Sequence, residues 1–254
     1  MSYTLKNEGK FSYIEEGEGQ PIIVLHGLMG ALSNFDGIVS HFSKIGYKVL
    51  IPELPLYTLP LVKTNVRNLS MFVKEFINHK GLDNVIFLGN SLGGHISLYF
   101  TTHNVDNVKA LVLTGSSGLY ENSMGDTYPK RGNKEFIENK VREVFYDDKI
   151  ATPELVDQVF EIVNDRIKAI KTLSIAKSAI RHNMADNLPD MNVPTCLIWG
   201  KQDIVTPPEV ANDFDRLMPD SELFWIDKCG HAPMMERPDE FNEKLEDWFK
   251  KRNI

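Results

Sequence analysis

Apolar and polar positions along this chain of 254 residues fall into two alternating patterns. Short continuous apolar runs, Pro21 to Leu25, Tyr47 to Ile51, Val85 to Leu88 and Val108 to Thr114, have the length and character of strands buried on both faces. Between them apolar residues recur at helical spacing. Phe35, Ile38, Val39 and Phe42 predict a helix over 31–45 that Gly46 closes, and Leu69, Phe72, Val73, Phe76 and Ile77 predict another that stops near Gly81. Residues 3–15 read as a strand or hairpin, with Gly17 and Gly19 as turn residues, and Pro52 to Pro60 as a proline-rich loop. This alternation of strand and helix predicts a parallel sheet covered by helices on both faces.

After Thr114 the pattern changes. Residues 118–187 hold no strand-like run, but Phe136, Ile137, Val141, Val144 and Phe145, then Val156, Val159, Phe160, Val163, Ile167 and Ile170, keep helical spacing. Thr152-Pro153 is a good helix start, a hydroxyl cap followed by proline in the first turn. The block reads as a helical cap, 118–187, inserted into a core domain built from 1–117 and 188–254, and such an insertion can fold over the strand ends. The strand pattern resumes at Thr195 to Trp199 and again at Leu223 to Ile226, with a helix around Glu209 to Leu217 between them. Phe241, Leu245, Trp248 and Phe249 mark an amphipathic helix at the end of the chain.

Composition narrows the classes of function. Hydrophobic content of 42% and charged content of 25% are those of an ordinary globular protein. A net charge of -7 argues against nucleic acid or an anionic membrane surface as the main partner, and leaves a small-molecule substrate as the expected one. No apolar run approaches transmembrane length, the opening residues have no signal core, and the two cysteines, Cys196 and Cys229, make no disulfide framework, so a cytoplasmic protein is expected, monomer or homodimer. The seven histidines show no metal-ligand spacing, and neither metal nor cofactor is expected.

The chemistry gathers where predicted strands end. Gly89-Asn90-Ser91-Leu92-Gly93 follows the run Val85 to Leu88 and opens a helical pattern, the G-x-S-x-G arrangement on a strand–turn–helix. Glycines two before and two after the serine let strand and helix approach closely. Asp203 follows the strand that ends at Trp199-Gly200, and His231 follows the last strand in Cys229-Gly230-His231-Ala232-Pro233. A serine hydroxyl is a poor nucleophile at neutral pH. It needs an imidazole to take its proton, and the imidazole needs a carboxylate to fix its tautomer. Each residue also has a plainer reading: Ser91 as a turn serine, Asp203 as a loop carboxylate, His231 as a structural imidazole.

The order Ser91, Asp203, His231 at the carboxyl edge of the predicted sheet resembles the α/β-hydrolase family, and the resemblance covers the whole chain. It implies the α/β-hydrolase fold, a mostly parallel central sheet flanked by helices, with Ser91 as nucleophile, His231 as base and Asp203 as its orienting carboxylate. The His26-Gly27-Leu28 turn resembles the family's H-G-x loop, which implies the backbone N–H of Leu28, together with that of Leu92, as the oxyanion hole. His26 is expected to hold this loop by hydrogen bonds, and His95 and His103 to be packing or surface residues. Cys229 is expected to be a buried small residue. Met29, Met234 and Met235 are candidates for an apolar pocket, with core packing the alternative.

Within the family, the serine motif, the Cys229-Gly230-His231 ending and the helical insertion are similar to the meta-cleavage-product hydrolases, which cut a carbon–carbon bond with the same triad. That branch has a tryptophan after the histidine, where Ala232 stands here, and a cap arginine for the substrate carboxylate, whose register falls on Val159; Arg166 is the nearest substitute. The loop Pro52-Glu53-Leu54-Pro55-Leu56 also lacks the glycines usual there. These departures favour a carboxylesterase with an apolar acyl pocket under the cap. Carbon–carbon hydrolysis and acyl transfer stay open, as does a non-catalytic small-molecule receptor built on the same fold.

Overall fold

The computed structural model describes residues 3–120 and 132–254; part of the predicted insertion, 121–131, lies outside the described residues. Eight strands form one sheet: β1 (Lys6–Glu8), β2 (Phe11–Glu16), β3 (Gln20–Leu25), β4 (Tyr47–Pro52), β5 (Val85–Asn90), β6 (Val108–Thr114), β7 (Thr195–Gly200) and β8 (Ser221–Ile226), in the spatial order β1-β2-β4-β3-β5-β6-β7-β8. From β4 to β8 every pairing is parallel, and the β1–β2 hairpin adds an antiparallel edge. The order reverses at β3, so its two neighbours, β4 and β5, are reached by crossovers on opposite faces.

The apolar runs are central strands because alternate side chains enter separate cores. Ile23, Leu25 and Phe87 face one hydrophobic cluster, with α2 (Val66–His79), α3 (Leu92–His103) and, across the sheet, α7 (Pro208–Leu217). Ile22, Val24, Ile86 and Leu88 face the other, with α1 (Asp36–Phe42) and the C-terminal helix α9 (Pro238–Arg252). Each fully buried Leu, Ile or Phe contributes roughly 1.5–3 kcal/mol, so β3 and β5 alone anchor both layers.

Among the described residues three α-helices lie between β6 and β7: α4 (Lys134–Arg142), α5 (Pro153–Asn164) and α6 (Arg166–Arg181). α4 and α5 form a third, small core of Ile137, Val141, Ala151, Val156, Val159 and Val163, whereas Ile175 and Ala179 of α6 join the core that holds α2 and α3. The periodicity that runs from Val156 to Ile170 is interrupted at Asp165, whose carboxylate accepts hydrogen bonds from the N–H groups of Ile167 and Lys168 at 2.8 and 3.0 Å and so starts a new helix. A second difference concerns the helix predicted over 31–45. Residues Leu32–Phe35 are a 3-10 turn and α1 begins only at Asp36. The four-residue helix α8 (Pro233–Glu236) follows the His231 loop and was too short to leave a periodic signal.

Candidate active site

The backbone at Ser91 explains why glycines surround it. β5 ends at Asn90, α3 begins at Leu92, and the residue between them has φ 54° and ψ -119°, a conformation that L residues rarely adopt. Strand and helix are in contact here. A Cβ on Gly93 would overlap the Leu25 carbonyl, and one on Gly94 would overlap Ser116 Oγ. The strained turn is held by backbone bonds: Ser91 N–H donates to Thr114 O at 3.1 Å, and Ser91 O accepts from Ser117 N–H at 3.1 Å.

Asp203 and His231 meet below the ends of β7 and β8. His231 Nδ1 lies 2.9 Å from Asp203 Oδ2, both side chains being buried. The carboxylate is fixed by three further donors: Val205 N–H and Thr206 N–H to Oδ1 at 2.8 and 2.9 Å, and Thr206 Oγ1 to Oδ2 at 2.8 Å. Trp199 steadies this loop from within the core by donating its indole N–H to Thr206 O at 2.8 Å. With Nδ1–H directed at Asp203, the neutral imidazole carries its lone pair on Nε2, the arrangement a general base requires.

Ser91 and His231 line one cavity of about 410 Å³, together with Leu28 and Met29 of the His26 loop. A Cβ on Gly27 would stand 3.3 Å from Ser91 Cβ, so this loop passes directly beside the serine. Leu92 is the first residue of α3, where a backbone N–H has no partner inside the helix. His26 is buried and bridges two loops: Nε2 accepts from Leu54 N–H at 3.1 Å, which leaves Nδ1–H to donate to Gly27 O at 2.9 Å. Burial holds its pKa below the usual imidazole value, and the neutral form is the one this network needs.

The far wall of the cavity comes from the helical block: Phe136, Ile137, Val141, Leu155, Val159 and Val163. Val159, the position in register with a substrate-binding arginine, thus faces the cavity as a plain apolar residue. Arg166 is exposed at the start of α6 and is not part of the lining. Among the described lining residues Lys140 is the one cation, and it is paired with Glu143 at 2.6 Å. Met29 and Met235 line the cavity, whereas Met234 is buried in the core. His95 is buried on α3 and His103 is exposed at its end. Cys229 is buried, which pushes its thiol pKa well above the usual value.

Several supporting residues were not legible beforehand. Asn90 donates through Nδ2 to Thr114 O and to His231 O at 3.0 and 3.1 Å, tying the serine turn to the histidine loop. Glu236 is buried on α8; its Oε1 accepts from Gly230 N–H at 2.9 Å and its Oε2 from Tyr146 N–H at 2.8 Å, so one carboxylate joins the histidine loop to the helical block. Burial raises its pKa, against the pull of these N–H donors. Tyr57 Oη donates to Leu28 O at 3.1 Å. Gly115, at φ 51°, packs against the His231 ring. Asn90 sits inside the serine motif and Glu236 is the only acid between His231 and Arg237, but neither fact specifies a partner.

A family model described as the alpha/beta hydrolase fold matches residues 20–176. The chain belongs to the α/β-hydrolase family. Its similarity extends over nearly its whole length. Lipase 1 of Psychrobacter immobilis is 26% identical over 94% of this chain and 80% of its own. A 2-hydroxy-6-oxononadienedioate/2-hydroxy-6-oxononatrienedioate hydrolase of a Pseudomonas species is 29% identical over 92% of this chain and 90% of its own. Among solved structures, an α/β-hydrolase enzyme from the metagenome of lagoon sediments at Mar Chica, Morocco, is 55% identical, with a TM-score of 0.83 and coverage of 99% of this chain and 100% of that one. The chain is therefore an enzyme-family hydrolase fold, similar both to lipases and to carbon–carbon hydrolases. No helix among the described residues is long and apolar enough to cross a membrane, and no group of acidic, histidine or cysteine side chains among them could hold a metal ion.

Proposed function

We propose that this α/β hydrolase cleaves small carboxylic esters through an acyl-enzyme on Ser91. His231 Nε2 takes the hydroxyl proton as Oγ bonds to the ester carbonyl carbon, and Asp203 stabilises the imidazolium. The N–H groups of Leu28 and Leu92 receive the developing oxyanion. The alcohol leaves with the proton from His231; water, activated by the same imidazole, then releases the acid. Because the base must be deprotonated, activity falls toward acid pH. Residues 118–187 act as a cap on a core formed by 1–117 and 188–254, and the apolar helices α4 and α5 receive the acyl part.

The observation that carries this reading is the cavity wall. It brings apolar side chains to the serine, and its described cation, Lys140, is already neutralised by Glu143. A substrate carboxylate would be desolvated there without a free partner, a penalty that a neutral ester avoids. The carbon–carbon reading draws on the 29% identical hydrolase named above, and it requires Lys140 to exchange Glu143 for the substrate.

Labelling with a fluorophosphonate followed by intact mass, beside Ser91→Ala, tests the nucleophile; p-nitrophenyl esters of graded chain length test the substrate class. Stoichiometric labelling that Ser91→Ala abolishes, with ester turnover, is the expected result. Labelling without ester turnover, together with cleavage of a vinylogous diketone acid, would replace the ester reading by the carbon–carbon one. A folded protein that does not label would point to a non-catalytic receptor.

A further inference from the structure

The outer face of α6 differs from the rest of this acidic protein. At 3.6 residues per turn, Arg166, Ile170, Leu173, Lys177, Ile180 and Arg181 fall within an arc of about 100°. This arc is the solvent side of the helix: Ile180 is 57% exposed and Ile170 40%, with Ile167, 65% exposed, at its border. The adjacent edge of α6 is stitched to the segment 57–66. Lys171 Nζ donates to Tyr57 O at 2.8 Å, Ser174 Oγ to Thr64 O at 3.0 Å, and Ser178 Oγ accepts from Val66 N–H at 3.0 Å. In that adjoining segment Leu61 and Val62 are 47% and 85% exposed, and Lys63 and Arg67, close to them in the chain, are exposed as well.

The charges of these two segments are of one sign. Residues 57–67 and 166–181 contain seven lysines and arginines and no acidic residue. Asp165 stands at the helix start, where its carboxylate is engaged in capping. Among the described residues, Lys63, Arg67, Arg166, Lys177 and Arg181 form no ion pair, whereas on α4 Lys134, Lys140 and Arg142 are each paired with an acid. Isolated exposed isoleucines are ordinary. Five exposed aliphatic residues interleaved with five unpaired cations are the composition of an interfacial surface, whose apolar side chains enter the acyl boundary while the long cationic stems reach back to the headgroups.

We infer that this face docks on an anionic lipid bilayer. A second copy of the chain fits it poorly, because a two-fold pairing of the face would set cation against cation. A nucleic acid would satisfy the cations and leave the isoleucines in water. Summed over the chain, the net charge of -7 argues against such a partner, but at about 0.1 M salt charges farther away than a Debye length of about 10 Å are screened, and the local cations then decide. The inference stands apart from the chemistry proposed for Ser91.

The test is co-sedimentation of the full chain with vesicles of phosphatidylcholine alone and of equal parts phosphatidylcholine and phosphatidylglycerol, with hydrolysis of a soluble ester or fluorophosphonate labelling as the control for folding. Binding to the anionic vesicles, weak binding to the neutral ones, and loss on raising salt are expected. Lys177→Gln with Arg181→Gln should weaken partitioning about 25-fold, near five-fold per cation. Ile167→Ser with Ile170→Ser should weaken it about ten-fold without changing the response to salt. The inference is overturned if the protein stays in the supernatant with anionic vesicles at about 0.1 M salt, where the distant acidic charges are screened, or if the isoleucine variant binds as tightly as wild type, which would mean adsorption by charge alone. Light scattering that finds a dimer in wild type and a monomer in the isoleucine variant would assign the face to a second copy instead.

Discussion

Gly115 offers a sharp test of how tightly the histidine must be held. It follows β6 with φ 51°, and a Cβ built there would lie 2.8 Å from both His231 Nδ1 and His231 O and 2.9 Å from Cε1. Alanine at this position has two separable effects. The left-handed backbone destabilises the fold by about 1–2 kcal/mol. The overlap must also be relieved by about 0.7 Å, since ordinary carbon contacts begin near 3.5 Å. His231 cannot yield through its backbone, because its N–H is held by Val144 O at 3.0 Å and its carbonyl by Asn90 at 3.1 Å. Residue 115 must therefore draw back from the carbonyl and the ring must turn, lengthening its 2.9 Å bond to Asp203. A misplacement of about 1 Å can lower a rate about 100-fold, so about 0.7 Å predicts a fall in kcat of roughly 25-fold. Gly81→Ala is the control. Its φ of 61° imposes a similar backbone penalty, and nothing lies within 4 Å of its Cβ. Ester kinetics and thermal melts of both variants separate strain from displacement: both should melt a few degrees lower, about 2–4 °C per kcal/mol, and only Gly115→Ala should lose activity. A Gly115→Ala enzyme with kcat within two-fold of wild type would refute the reasoning.

Other expectations follow from the same contacts. Glu236→Ala leaves the N–H groups of Gly230 and Tyr146 without their acceptor, at about 1–3 kcal/mol each, and should lower both stability and kcat; urea unfolding beside steady-state kinetics checks this. Tyr57→Phe removes the bond to Leu28 O, and should reduce kcat by several-fold with KM little changed, as expected if the Leu28 N–H serves the transition state. Burial depresses the His95 pKa to about 4, so the unfolded chain binds a proton that the folded one refuses: the stability contributed by this group is complete above about pH 6.5 and lost as pH falls toward 4. The difference amounts to about 3 kcal/mol, and His95→Gln should flatten that part of the pH dependence in urea melts.

The strands were legible because both faces of each central strand are apolar, and burial on two sides leaves a continuous run that any reading of the chain will find. The serine turn was legible for a local reason: the sharp passage from β5 to α3 admits only small residues at Gly89, Gly93 and Gly94, so packing is written directly into the sequence. Asp203 and His231 could be placed at strand ends, but their meeting depends on β7 and β8 lying side by side in parallel register, a fact no local pattern carries. Asp165 divides one periodic stretch into two helices because a capping carboxylate competes with continued helix, and periodicity does not weigh that competition. What only tertiary structure decided are the contacts between residues far apart in the chain. Glu236 reaches back to Tyr146, Asn90 crosses to His231, and Val159 and Lys140 come to the wall opposite Ser91. The cationic face of α6 follows the same rule. Net charge sums over the whole chain, whereas a surface is felt only at short range, and which charges share a surface is settled by the fold.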